Sequence, residues 1–160
     1  MSAARVFESR LSMLDKVVYH AKLGSQGERV EHVRAIAKAI AAMHWLDANT
    51  LADQVDKAAE LAKADLLTDM VGEFPELQGV MGRYYALNDG EDPALAQALT
   101  EQYLPRQAGD ALAQGKVGIA LALADRLDAT GRACLRASLD DFHPPGHQQR
   151  ERAVPVTPAE

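Results

Sequence analysis

Apolar residues recur at helical spacing along most of the chain. Phe7, Leu11, Leu14, Val17, Val18 and Ala21 follow one another at helix-face intervals and predict a first helix over residues 4–23. Gly24 is a natural stop, because glycine takes the left-handed cap without a Cβ penalty. Ser25 and Glu28 are spaced as a capping box, each side chain serving the other's orphan backbone donor. They predict a second helix reaching about His44, with Val30, Val33, Ile36, Ala37, Ile40 and Ala41 on one face. Asn49 or Thr50 would cap a third, whose stripe of Leu51, Val55, Ala58, Ala59, Ala62, Leu66 and Met70 runs to about Gly72. Phe74-Pro75 breaks it, since the residue before proline is pushed out of the helical region.

A fourth helix is predicted over about Glu76–Leu87, with Gly79 and Gly82 inside it. Two glycines there predict close approach of another backbone or of a ligand, because each costs about 1 kcal/mol in a helix interior. Asn88-Asp89-Gly90 is a turn. Asp92-Pro93 is a cap followed by proline at the first helical position, opening a fifth helix to about Tyr103. The sixth, about Gln114–Thr130, is the most apolar and should be the most buried. The last 18 residues hold four of the seven prolines and few large apolar side chains, the composition of a disordered tail. The expected architecture is all-α: a compact multi-helix domain over residues 4–130 and a divergent, flexible tail over 131–160.

Composition agrees with this reading. Hydrophobic residues make up 48% of the 160 and aromatics only 5%, so the core should be mostly Leu, Ala, Val and Ile. The net charge of −6 is not the footprint of an independent nucleic-acid binder, so any RNA contact needs locally clustered Arg and Lys. Cys134 is the single cysteine, which excludes an internal disulfide and a multi-cysteine zinc site. Nothing approaches the roughly 20 apolar residues of a membrane span. A soluble cytoplasmic protein is expected.

The stretch from Lys63 to Ala86 carries the most specific pattern, K-x-DL-x-T-x-MV-x-EF-x-ELQG-x-MG-x-YYA. It is met by Lys63, Asp65, Leu66, Thr68, Met70, Val71, Glu73, Phe74, Glu76, Leu77, Gln78, Gly79, Met81, Gly82, Tyr84, Tyr85 and Ala86. This resembles the middle of the beta subunit of bacterial two-subunit glycyl-tRNA synthetase. Arg10, Leu14, Val17 (or Val18), Tyr19 and Lys22-Leu23-Gly24 are compatible with the family upstream. Downstream, so are Asp89-Gly90-Glu91, then Glu101, Tyr103, Pro105, Arg106, Ala108, Gly109 and Asp110, then Ala122, Ala124, Asp125, Arg126, Leu127 and Asp128. The resemblance spans about residues 8–128 and stops after Asp128. Since the family's subunit is much larger, the chain is expected to be a truncated copy, an expressed fragment or the product of a frame change near Asp128.

The resemblance implies a tRNA-handling module that supports glycyl-tRNA aminoacylation without being catalytic alone. Its partners would be the alpha subunit and tRNA-Gly. ATP and magnesium would act through the alpha subunit, with no cofactor bound here. Candidate RNA contacts are Lys63, Arg83, Arg106, Lys116 and Arg126, with Tyr84 or Tyr85 available for stacking. Each basic residue also reads as ordinary solvated surface. Gln78 could read an RNA edge or satisfy buried backbone.

The family's middle region also resembles an HD-type metal-dependent phosphohydrolase domain, which is the alternative function. In that scheme His32, Asp65 and Asp125 would be metal ligands, but the residue before Asp65 is Ala64, so the paired histidine is absent and a degenerate remnant is expected. The competing reading makes Asp65 and Asp125 interhelical salt bridges or caps, and His32 a plain helix-face histidine. His143 and His147 flank Pro144-Pro145, which forbids the helical spacing a metal clip needs. Cys134 lies among arginines that would lower a thiol's pKa, but no paired base is visible. An uncovered sixth helix would favour self-association.

Overall fold

The computed structural model describes residues 7–21, 23–44 and 48–141. Lys22 and, of the tail expected over 131–160, residues 142–160 with His143 and His147 lie outside them, while residues 131–141 are helical.

The N-terminal segment departs from the helix expected over residues 4–23. Glu8–Lys16 is a 3-10 helix, followed by a hairpin of β1 (Val18–His20) and β2 (Gly24–Ser25), antiparallel, with Val18 opposite Ser25 and His20 opposite Gly24. Val17, Val18 and Tyr19 are strand formers in succession, and Gly24 has φ +93, a positive value that suits the tight return. Phe7 and Leu14 are buried, while Val18 is 71% exposed.

Helix α1 (Gln26–His44) starts as its capping box requires. The Ser25 amide donates to Glu28 Oε2 at 2.8 Å, and the Glu28 amide to Ser25 Oγ at 3.2 Å. Val30, Val33, Ala37, Ile40 and Ala41 are buried, as their spacing predicts, and Ile36 packs at the core's edge.

The long third helix is interrupted. Helix α2 (Ala48–Leu61) already contains Asn49 and Thr50, the expected caps. The chain then passes through Lys63 at φ −116, ψ 6, a 3-10 turn (Ala64–Leu67) and the short α3 (Asp69–Glu73), capped by Thr68. The break turns Lys63 inward, where it is 3% exposed.

Helix α4 (Val80–Asn88) follows a 3-10 turn at Pro75–Leu77. Gly79 is its N-cap residue at φ +83, not part of the helix interior as expected. A Cβ there would lie 2.7 Å from the Tyr103 ring and 2.9 Å from the Leu99 carbonyl. At Gly82, inside α4, a Cβ would stand 3.2 Å from Asp65 Oδ2. Close packing therefore accounts for both glycines. Helix α5 (Pro93–Glu101) is capped by Asp92, whose carboxylate accepts from the Ala94 and Leu95 amides.

Helix α6 (Lys116–Asp141) continues past the expected end at Thr130. Its first half is buried through Val117, Ala120, Leu121 and Ala124, while residues 133–138 are exposed. The buried Glu101 accepts from the Gly115 amide at 3.2 Å, placing a carboxylate at the start of α6. The core is Ala-rich and Leu-rich, built mainly where α1, α2, α5 and α6 meet. The all-α class holds, with one small hairpin among the described residues. No described helix is long and apolar enough to cross a membrane.

Candidate functional site

Two adjoining polar assemblies stand out. The inner one lies between α1, α6 and the chain around Lys63. Asp125, Asp128 and Arg132 fall at helical spacing on one side of α6, opposite Arg29 and His32 of α1. Arg29 Nη2 meets Asp125 Oδ1 at 2.9 Å, and its Nε meets Asp128 Oδ2 at 3.2 Å. Arg132 Nε donates to both Asp128 oxygens, at 3.1 and 2.9 Å. Its Nη1 donates to the Leu23 carbonyl at 2.7 Å, and its Nη2 pairs with His32 Nδ1 at 2.8 Å. The Tyr19 ring lies beneath both guanidinium groups, 4.8 Å from Arg29 and 5.5 Å from Arg132.

Lys63 completes this assembly. Its Nζ contacts Asp125 Oδ1 at 3.2 Å, Gln102 Oε1 at 3.0 Å and the Tyr103 hydroxyl at 3.2 Å. Burial pulls the Lys63 ammonium below the ordinary lysine range, against the counteracting charge of Asp125. Burial raises the Asp65 carboxyl, partly offset by the Gly79 amide that donates to Oδ2 at 2.6 Å. Asp65 Oδ1 has no hydrogen-bond partner among the described residues. Burial also pushes the Tyr103 phenol well above its ordinary value, so the hydroxyl stays protonated.

This arrangement does not fit a metal centre. Asp125 is held by Arg29 and Lys63. His32 turns its Nδ1 to Arg132, and Asp65 serves the start of α4. No group of three or more His, Cys, Asp or Glu among the described residues is placed to hold a metal ion. Guanidinium and ammonium groups supply the positive charge that the carboxylates need, so the metal-dependent phosphohydrolase reading is not supported. Asp125 is an interhelical ion-pair residue and Asp65 a cap.

The outer assembly is the segment from Gln102 to Arg106, which follows α5. Arg126 of α6 donates to the carbonyls of Gln102 (3.3 Å), Leu104 (2.7 Å) and Pro105 (3.1 Å). Arg106 Nη2 donates to the Gln78 carbonyl at 3.0 Å, with its guanidinium 5.7 Å from the Tyr103 ring centre. Lys63 approaches the same ring at 4.5 Å. Gln78, Tyr103, Pro105 and Arg106 line a niche of about 280 Å³.

The candidate RNA contacts thus separate. Lys63, Arg106 and Arg126 converge on this segment. Lys63 is buried, so it is corrected from an RNA contact to a structural cation, and Arg126 spends its donors on backbone carbonyls. Arg106, Arg83 and Tyr84 are exposed, Tyr84 by 58%. Lys116 is exposed at the start of α6, beside a different cleft. Tyr85 turns to Phe7, their rings 5.6 Å apart, and is packed against the core. Sequence reasoning missed Arg29, Arg132 and Gln102, and named Tyr19 only for its place in the family pattern. The i,i+4 spacing of Asp128 and Arg132 was a signal for one pair. Nothing local pointed to Gln102, whose amide donates to the Ala62 and Leu99 carbonyls.

A family profile described as glycyl-tRNA synthetase beta subunit matches residues 3–133. The chain belongs to this family. It is 61% identical over 124 residues to the glycine–tRNA ligase beta subunit of Delftia acidovorans, covering 78% of the chain and 17% of that protein. It is 62% identical over 120 residues to the one from a Janthinobacterium species, covering 75% and 17%. With that of Paracidovorax citrulli it shares 60% over 124 residues, again 78% and 17%. The chain spans about 17% of the length of these curated relatives. In this synthetase-family chain, Asp65, Gln78, Gly79, Gly82, Asp125 and Asp128 of the matched pattern sit in or beside the two assemblies, while Phe74 is 47% exposed.

Proposed function

We propose that the chain serves as a tRNA-handling element of glycine–tRNA ligase. It would act with an alpha subunit, which would supply ATP- and magnesium-dependent glycine activation, and would reside in the cytoplasm. The observation that carries this reading is the family match over residues 3–133. The cation–carboxylate hub supports a structural role for the interior, since its charged groups are consumed by one another. The exposed Arg83, Tyr84 and Arg106 supply the chemistry for RNA: guanidinium groups for phosphates and a ring for stacking.

The test is binding of tRNA-Gly and its acceptor minihelix to the purified chain at low and at physiological salt. Binding should weaken as salt rises, because phosphate neutralisation releases counterions. Arg83→Glu should weaken it at every salt concentration. No binding at low salt would overturn the reading of this chain as an RNA-contacting element.

A further inference from the structure

The Arg106 side chain is arranged unlike the other cations of the two assemblies. Lys63, Arg29, Arg126 and Arg132 are engaged by carboxylates, carbonyls or both. Arg106 is exposed and makes one side-chain hydrogen bond, to the Gln78 carbonyl, leaving its other N–H groups without a protein partner among the described residues. One side of its guanidinium faces the Tyr103 ring. That ring is packed in turn, with Gly79 against its edge and Lys63 bonded to its hydroxyl. The result is a planar cation backed by a packed aromatic ring, with the niche of about 280 Å³ beside it.

We propose that this niche, formed by Gln78, Tyr103, Pro105 and Arg106, is a subsite for one unpaired nucleotide of RNA. The inference rests on the RNA-handling reading above and names the part of the RNA involved. The base stacks on the outer side of the Arg106 guanidinium, a platform that single-stranded RNA uses as it uses aromatic rings. The free N–H groups of Arg106 meet the adjoining phosphate, where a planar fork gives directional contacts that an ammonium does not. Pro105 supplies an apolar wall. The Gln78 amide, which lines the niche, carries both a donor and an acceptor end for a base edge. The niche lies just under the roughly 300–1,000 Å³ of pockets that enclose drug-sized ligands, which suits one ring system and not a base pair.

The experiment uses the full chain and an RNA hairpin that ends either blunt or in a short single-stranded overhang, with 2-aminopurine at one overhang position. The overhang should raise affinity about tenfold, the order expected for stacking of a single base, and 2-aminopurine emission should be quenched on binding. Arg106→Lys keeps the charge and removes the plane. It should abolish the quenching and the overhang preference. Arg106→Ala should do the same and also weaken the blunt hairpin. Unchanged melting temperatures in both variants confirm that only the surface has been altered. Equal affinity of the two hairpins for the unmodified chain would overturn the subsite while leaving RNA binding intact. So would full quenching in Arg106→Lys, since charge alone would then explain the contact. If neither hairpin binds, the RNA-handling reading fails and the subsite falls with it.

Discussion

Lys63 and Asp65, two positions apart, are both nearly inaccessible, at 3% and 1% exposure, and burial acts on them in opposite senses. The folded chain holds Lys63 below its ordinary pKa, so the unfolded chain binds that proton at higher pH than the folded chain does. Stability from this group is therefore fully present above the unfolded value of about 10.4 and is lost as pH falls toward the folded value. Asp65 behaves in reverse. Its raised folded pKa contributes stability below the unfolded carboxylate value of about 3.9, lost as pH rises through the folded one. In urea unfolding measured at several alkaline pH values, Lys63→Met should flatten the rise in stability that the parent chain shows on approach to pH 10. An identical slope in both would mean that Lys63 titrates alike in the folded and unfolded chains.

Helix α1 shows how a short sequence signal becomes an element boundary. Ser25 both pairs across the hairpin with Val18 and caps α1, so the capping box joins the strand turn to the helix start. Ser25→Ala should cost about 1 kcal/mol, the usual value of an N-cap side chain, while Ser25→Asp should retain most of it. Thermal unfolding would check this. An alanine variant as stable as the parent would show that the helix start is set by tertiary packing alone. Helix α2 illustrates the opposite case. Its apolar stripe continues in sequence through Leu66 and Met70, yet the helix stops at Leu61. The chain leaves the helix where Lys63 turns inward to Asp125, Gln102 and Tyr103.

Asp128 links the separate parts of the fold. Through Arg29 it ties α6 to α1, and through Arg132 it reaches the Leu23 carbonyl just before β2. It is 6% exposed and faces two guanidinium groups. Asp128→Ala would leave both cations in a largely buried setting with fewer partners, and should destabilise the chain by about 3–5 kcal/mol. Urea denaturation would measure this, and a loss below about 1 kcal/mol would mean that the cations relax to solvent without cost. The N-terminal segment is attached at two further points. The Phe7 amide donates to Asp89 at 2.9 Å, and Arg10 donates to the Leu67 carbonyl at 2.9 Å. Residues distant in sequence thus close the bundle through polar contacts as well as through its alanine-rich core.

The helical class, the apolar faces of α1, α2 and α6, the Ser25–Glu28 box, the Asp92-Pro93 start and the family pattern between Lys63 and Ala86 were all readable along the chain. They depend on spacing, capping and backbone constraints that act over a few residues. The destinations of the polar side chains were not readable in this way. Whether Lys63 faces RNA or the interior depends on a helix break whose compensation comes from residues about 40 positions later. Whether Asp125 binds a metal or a guanidinium depends on Arg29, 96 positions earlier, and on the angle at which α1 meets α6. The hairpin that replaces the end of the first helix is likewise settled from a distance, since Arg132 holds the Leu23 carbonyl from α6. Local sequence determines which elements can form. Burial then requires every polar group within them to find a partner, and only the assembled tertiary structure decides which partner that is.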